Sequence, residues 1–159
     1  MKQILKLEQK IVKLEKSVLV ILVVLMAALS FLQVFLRLFL GKSILWLDPL
    51  LRHFVLWAGF LGAALASSLD KHFALDILTG NLNRRKVKVL STVNKLFTGA
   101  VCVVLMIAAV KFVKSEIIFK STLFSIGNFQ VPAIYMEFIL PLGFLLIIFH
   151  SIAGIFREK

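Results

Sequence analysis

The 159-residue sequence has little charge for its length: 17% of its residues are charged, whereas 60% are hydrophobic. A soluble domain of this size usually has about 25% charged residues, because polar side chains must cover its core. This composition excludes a monomeric water-soluble protein. The basic excess, 19 Lys and Arg against 8 Asp and Glu, lies between long apolar runs. It therefore indicates membrane topology rather than nucleic-acid binding.

Cysteine is almost absent from the sequence. Cys102 is the one cysteine, and it lies inside an apolar run. A single cysteine excludes an intramolecular disulfide, a CxxC redox motif and a cysteine-based metal site. We interpret Cys102 as a small apolar packing residue.

Charge is scarce in four apolar segments that are long enough to cross a bilayer as helices, and the few charged residues near their ends can snorkel to the surface. Residues 17–36 are twenty residues without a charge, and as a helix they would rise about 30 Å, the thickness of the hydrocarbon layer. Asp48 is predicted to be the N-cap of the second helix, which would begin near Pro49, and Pro141 is predicted to kink the fourth. The predicted spans are residues 17–40, 49–69, 89–113 and 131–156. The sequence thus predicts an all-α integral membrane protein, with residues 17–159 forming one four-helix transmembrane domain.

Residues 1–16 have the pattern of an amphipathic helix. Apolar side chains recur at steps of three and four residues and lysines fill other faces: Ile4, Leu7, Ile11 and Leu14 are apolar, and Lys2, Lys6, Lys10 and Lys13 are basic. Three arrangements fit this pattern: an interfacial helix on anionic headgroups, a short coiled-coil seam, or an early start of the first span. The interfacial helix is the prediction. A signal peptide is disfavoured, because the apolar core is too long and no small-residue cleavage site follows it.

Lysine and arginine are distributed unevenly between the two sides of the predicted bundle. Thirteen lie in the N-terminal arm, the second connection and the C-terminus, whereas six lie in the first and third connections. Because basic residues are retained on the cytoplasmic side, this count places both termini in the cytoplasm.

Ionisable side chains are scarce within the predicted spans, although transport or catalysis inside a bilayer usually requires them near mid-depth. Glu137 is interpreted as an interfacial or pairing group, with a proton or cation site as the alternative. A haem held between facing imidazoles is disfavoured, because His72 lies outside the apolar run whereas His150 lies inside the fourth span. We therefore expect no catalytic residue, no metal ligand and no cofactor site.

Small residues are concentrated in the second predicted span. They recur at four-residue spacing, which lets another helix approach closely: Ala58, Gly59, Gly62, Ala63, Ala66 and Ser67. The pattern predicts helix association, with a partner helix in this chain or in another. Trp46 is expected to be an interfacial belt residue, and Trp57, about two turns further in, suits a protein interface.

Residues 46–76 read WLDPLLRHFVLWAGFLGAALASSLDKHFALD. This stretch resembles the small membrane subunit of tripartite ATP-independent periplasmic (TRAP) transporters, the DctQ-like family. The matching features are two tryptophans, an acidic and a basic residue near the first of them, the FLGA segment at 60–63, and a His-x-x-x-Asp element after the span. The chain length, the four spans and the basic amphipathic start also fit the family.

The resemblance implies a function in a heteromeric complex of the bacterial inner membrane. Such subunits associate with a large multi-span subunit that holds the substrate and sodium sites and moves the substrate by an elevator-like motion. A periplasmic binding protein delivers the substrate, typically an organic acid. This chain would then be a multi-pass scaffold subunit of a symporter, and sodium is expected to bind the large subunit and not this chain. The alternatives are a stand-alone small membrane transporter and a haem or quinone membrane anchor.

Nine residues are the candidate interface or structural positions. They come from the resemblance and from the small-residue pattern: Trp46, Asp48, Arg52, Trp57, Gly59, Gly62, Ala66, His72 and Asp76. Asp48 and Arg52 are four residues apart and would share a helix face, as would His72 and Asp76 if the segment after the second span is helical.

The predicted topology can be tested with a reporter fused after Lys159. We expect a reporter that is active only in the cytoplasm to be active, since the basic residues favour a cytoplasmic C-terminus. A reporter fused within residues 120–130 is the control for the opposite side. Activity of a periplasm-specific reporter after Lys159 would overturn the orientation.

Overall fold

A computed structural model describes residues 2–68, 84–126 and 129–157 of the chain. Its elements in chain order are α1 (Lys2–Leu40), α2 (Leu47–Ser68), α3 (Arg84–Phe119), β1 (Thr122–Ile126), β2 (Phe129–Pro132), α4 (Ile134–Glu137) and α5 (Ile139–Arg157). Within the described residues, four helical segments are long and apolar enough to cross a membrane: Lys6–Leu40, Leu47–Ser68, Val89–Phe119 and Ile134–Gly154. The prediction of a mostly helical chain with four such segments is confirmed.

Helix α1 joins the predicted N-terminal arm to the first span without a break. Its 39 residues rise about 58 Å, roughly twice the hydrocarbon thickness. There is thus no helix end at the expected boundary between residues 16 and 17, and this continuity matches an early start of the first span. The interfacial placement of the arm stays a prediction. Gly41, at a φ of 61°, ends the helix, because a residue without a β carbon adopts this left-handed conformation readily.

The inward face of α1 repeats every seven residues. Glu8, Glu15 and Leu22 are buried along this face, whereas Leu7 and Leu14 of the amphipathic arm are 53% and 66% exposed. A soluble amphipathic helix would bury the leucines and expose the carboxylates. The reversed arrangement suits a helix whose outer side contacts lipid or another apolar protein.

The long helices form an open layer with α5 inside it. Helix α5 packs against α2 and α3, and α1 packs mainly against α2. In the described part of the chain, α1 and α3 share no extensive contact, so they form the two edges of the layer. Ala64, Cys102 and Ile147 make a small apolar core where α2, α3 and α5 meet. The burial of Cys102 agrees with its interpretation as a packing residue.

Helices α2 and α5 are in close contact at Gly143. A β carbon at this position would lie 2.9 Å from the β carbon of Phe60, closer than non-bonded carbons approach. Phe60 also packs edge-to-face on Phe144, with ring centroids 5.1 Å apart. Glycine at position 143 therefore makes room for a phenylalanine ring of α2.

A β-hairpin between α3 and the fourth span was not predicted from the sequence. Strands β1 and β2 pair antiparallel, with Ile126 opposite Phe129. Helix α3 runs to Phe119 and not to the predicted end at 113, since the exposed Lys114 side chain is tolerated on its surface. It stops at Lys120, whose φ is 51°, and the Ser121 N–H donates to the Glu116 carbonyl oxygen over 3.3 Å, as in a Schellman motif.

The fourth membrane-capable segment is interrupted at Phe138, which keeps a helical conformation, and the predicted kink at Pro141 stays a prediction. The short helix α4 ends at Glu137, and α5 begins at Ile139. Pro141 then lies in the first turn of α5, where its missing N–H leaves no intrahelical hydrogen bond unmade. The break lies just before the proline, since the pyrrolidine ring clashes with the carbonyl of the residue four positions earlier.

We expect Gly143→Ala to lower the free energy of unfolding by about 1–3 kcal/mol, because the added methyl group overpacks the contact with Phe60. Thermal unfolding in detergent, followed by tryptophan fluorescence, measures the effect. Gly99→Ala is the matched control, since a β carbon at Gly99 has no heavy atom within 4 Å. Equal stability of the two variants would contradict the close approach.

Candidate functional site

Asp48 links α1 to α2 at one end of the layer. Helix α2 begins at Leu47, so Asp48 lies in its first turn, and the predicted N-cap role is wrong. The Gln33 side-chain amide donates to Asp48 Oδ1 over 2.8 Å. None of the ion pairs among the described residues joins Asp48 to Arg52, which is exposed. A carboxylate in a first turn also interacts favourably with the helix dipole. Asp48 therefore stabilises the start of α2 and also accepts a hydrogen bond from α1.

The two tryptophans make contacts within the chain. Trp46 is half-buried and its ring lies 5.8 Å from that of Phe124, which ties the hairpin to the start of α2. The Trp57 indole N–H donates to the Met136 carbonyl oxygen over 2.7 Å, at the break between α4 and α5. Trp57 thus joins α2 to the junction of α4 and α5, and its role at an interface with another protein stays a prediction.

The small residues of α2 divide between two faces. Ala64 faces the core, and Ser67 Oγ lies 3.5 Å from Ser151 Oγ of α5. The residues exposed on the opposite side follow steps of three and four: Arg52, Val55, Gly59, Ala63 and Ala66. We call these five residues the α2 outer stripe. Gly62 is half-buried at its margin, and a β carbon there would have no heavy atom within 4 Å.

His72 and Asp76 lie outside the described residues. Their pairing on one face stays a prediction.

His150 lies in a cluster of ionisable side chains that was not predicted from the sequence. It is 0% exposed, and its two contacts, Glu8 and Glu15, are 1% and 4% exposed. The His150 Nε2–H donates to Glu15, with Oε1 at 3.1 Å and Oε2 at 3.2 Å. Glu8 Oε1 lies 3.9 Å from His150 Nδ1. The cluster therefore joins the N-terminal part of α1 to the C-terminal part of α5.

Lys95 makes a comparable contact from α3. Its side chain is buried, and its ammonium group donates to the Gly154 carbonyl oxygen of α5 over 3.4 Å. A β carbon at Gly154 would lie 3.3 Å from Lys95 Cε. Both edge helices are thus held at the same end of α5 by charged side chains.

Glu137 lies at the other end of the layer, in the short helix α4. It is half-buried, and its Oε2 is buried without a hydrogen-bond partner. Glu116 of α3 and His53 of α2 interact with it electrostatically. His53 itself donates to the Pro49 carbonyl oxygen over 2.8 Å. Glu137 thus lies near the start of the fourth membrane-capable helix. This location is compatible with an interfacial group.

The polar side chains described above join one helix to another, as Trp57 and His150 do. Among the described residues no group of His, Cys, Asp and Glu side chains has the geometry of a metal site. Glu8, Glu15 and His150 were missed, although a signal exists: the two glutamates are seven residues apart and so share a helix face. The sequence analysis used the spacing of apolar residues to find the buried face. The glutamates, which lie among many lysines, were therefore assigned to the polar side of the helix.

We expect His150→Leu to lower the free energy of unfolding by about 3 kcal/mol, because it leaves two buried carboxylates without the imidazole. His53→Leu is the control with the same substitution, and it should cost about 1 kcal/mol, the value of one hydrogen bond. Thermal unfolding of the purified chain in detergent compares them. Equal losses would contradict the importance of the cluster.

Comparison with known proteins agrees with the features of the second span. A search of the curated proteins found no match. A family model for the DctQ component of tripartite ATP-independent periplasmic transporters matches residues 17–158. The match includes the second, third and fourth membrane-capable helices and most of the first. The family is a transporter component and not an enzyme family. The chain therefore belongs to the DctQ family, the small membrane subunits of tripartite ATP-independent periplasmic transporters.

Proposed function

We propose that this chain is the scaffold of a TRAP transporter and that it binds the large multi-span subunit through the α2 outer stripe. The observation that carries this proposal is the exposure of Gly59, Ala63 and Ala66 on one side of a membrane-capable helix. Lipid-facing helices have no need of small residues, whereas helix–helix contacts in a membrane use them to bring backbones together. The stripe therefore favours a helix of another chain as its neighbour.

The space around the stripe supports this assignment. A β carbon at Gly59 would have no heavy atom within 4 Å, so nothing in the described part of this chain requires glycine there. Gly143, by contrast, is required by Phe60. A helix of another chain would explain glycine at position 59, because it can approach the backbone closely where no side chain projects.

The distribution of charge supports a scaffold and not a carrier. The central contact of the described helices is apolar, with Ala64, Cys102 and Ile147 buried together. Buried ionisable groups lie near the end of the layer, where Glu15 meets His150. A solute or ion pathway would need polar groups near mid-depth. Sodium and substrate are accordingly assigned to the large subunit, and this chain holds no cofactor.

The remaining parts of the proposal rest on the family. In a tripartite transporter of the bacterial inner membrane, a periplasmic binding protein delivers an organic acid for sodium-coupled uptake. The exposed end of α2, with Asp48 and Arg52, is the surface that this chain offers on that side. Neither a stand-alone transporter nor a haem or quinone anchor is favoured by the described residues.

The assignment is tested by co-expression with a large multi-span protein encoded by an adjacent gene. We expect the two chains to purify as one monodisperse complex, since the stripe is open in the single chain. Uptake into liposomes should require both chains and the binding protein. Separate elution of the two chains after co-expression, or transport by this chain alone, would overturn the proposal.

We expect Gly59→Leu and Ala63→Leu, combined, to abolish co-purification of the large subunit, because bulky side chains prevent close helix approach. Ala108→Leu is the control, since Ala108 is an equally exposed small residue on α3. It should leave the complex intact. Pull-down yield measures the effect, and unchanged yield for the double variant would exclude the stripe as the contact surface.

A further inference from the structure

Positive and negative charges are sorted to opposite sides of the N-terminal part of α1. Lys6, Lys10 and Lys13 are exposed, whereas Glu8 and Glu15 are buried. At about 100° per residue, the lysines fall within about 60° of one another and lie on the side opposite the two glutamates. The sorting is not a property of composition, since the glutamates lie between lysines along the sequence.

The contacts of α5 maintain this sorting. The carboxylate of Glu15 accepts a hydrogen bond from His150 at 3.1 Å, and Glu8 lies 3.9 Å from the same imidazole. Both carboxylates are thereby turned away from the lysines and cannot neutralise them at the surface. The outer face of the arm is left with positive charge alone.

We propose that this outer face of α1, formed by Lys6, Lys10 and Lys13, binds the headgroups of anionic phospholipids. The occupant is indicated by two features that occur together: uncompensated positive charge, and the exposed leucines Leu7 and Leu14 at its flank. A phospholipid offers a phosphate to the lysines and an acyl chain to the leucines. Free phosphate would match only the first feature.

The location suits the cytoplasmic leaflet. Lys6 and Lys13 are about 10.5 Å apart along the helix axis, so more than one headgroup can be engaged. The asymmetric distribution of basic residues places this end of α1 on the cytoplasmic side. Anionic lipids there would anchor the arm beside the cluster that joins it to α5.

Binding is measured on the full-length purified chain by native mass spectrometry. The delipidated protein is titrated with phosphatidylglycerol or with phosphatidylcholine of the same acyl chains. We expect tighter binding of phosphatidylglycerol, and we expect the triple variant Lys6→Gln, Lys10→Gln, Lys13→Gln to lose that preference. The expected loss is about fivefold for each lysine removed.

The matched control is the triple variant Lys111→Gln, Lys114→Gln, Lys120→Gln. It removes the same charge from three exposed lysines at the opposite end of the layer, and it should bind phosphatidylglycerol as the unaltered chain does. Equal weakening by both triple variants would show a general charge effect and overturn the proposal. Equal affinity of the unaltered chain for the two lipids would overturn it as well.

A further variant tests the face without removing any lysine. Gln9 is exposed, and helix geometry places it beside the lysines. Gln9→Glu should weaken phosphatidylglycerol binding about fivefold and leave phosphatidylcholine binding unchanged. If Gln9→Glu has no effect on either lipid, or if the lysine variants lose an acidic protein partner while lipid binding persists, the lipid assignment is wrong.

Discussion

Apolar burial does not hold helices together in a bilayer, because lipid tails are as apolar as the side chains themselves. The layer therefore depends on the few close approaches and polar contacts that α5 and the adjoining α4 make with their neighbours. Gly143 admits Phe60, and the Trp57 indole reaches the Met136 carbonyl oxygen. His150 holds α1 through its bond to Glu15. An open layer with exposed edges is the result, and the α2 outer stripe stays exposed in it.

The same constraint is the basis of the function that we propose for the chain within its family. Polar groups within the described part of the chain serve to join helices, and the central contact contains only apolar side chains. Small residues exposed on α2 can bring another membrane helix close. These features support the proposed scaffold role, and the family match shows a transporter component.

The sequence predicted which segments are helical better than it predicted which side of each helix is buried. Apolar runs with few charges that are long enough for a bilayer favour membrane-crossing helices, so the four long helices could be predicted from segment length and composition. The hairpin was missed because its strands are only five and four residues long. The contact between Glu15 and His150 was not predicted from the sequence. The spacing of apolar residues defines the faces of a helix, but in a lipid environment it does not show which face packs against the other helices. Asp48 was assigned as an N-cap because Pro49 follows it, whereas α2 begins one residue earlier.

The central claim is that the α2 outer stripe contacts the large subunit, and a cysteine-crosslinking scan of residues 55–66 tests it most directly. The scan uses the assembled complex in a Cys102→Ser background, with exposed positions 104 and 108 of α3 as references. The account predicts crosslinks that recur with helical period and peak at Val55, Gly59, Ala63 and Ala66. Crosslinking without that period, or crosslinking stronger from α3 than from α2, would contradict it.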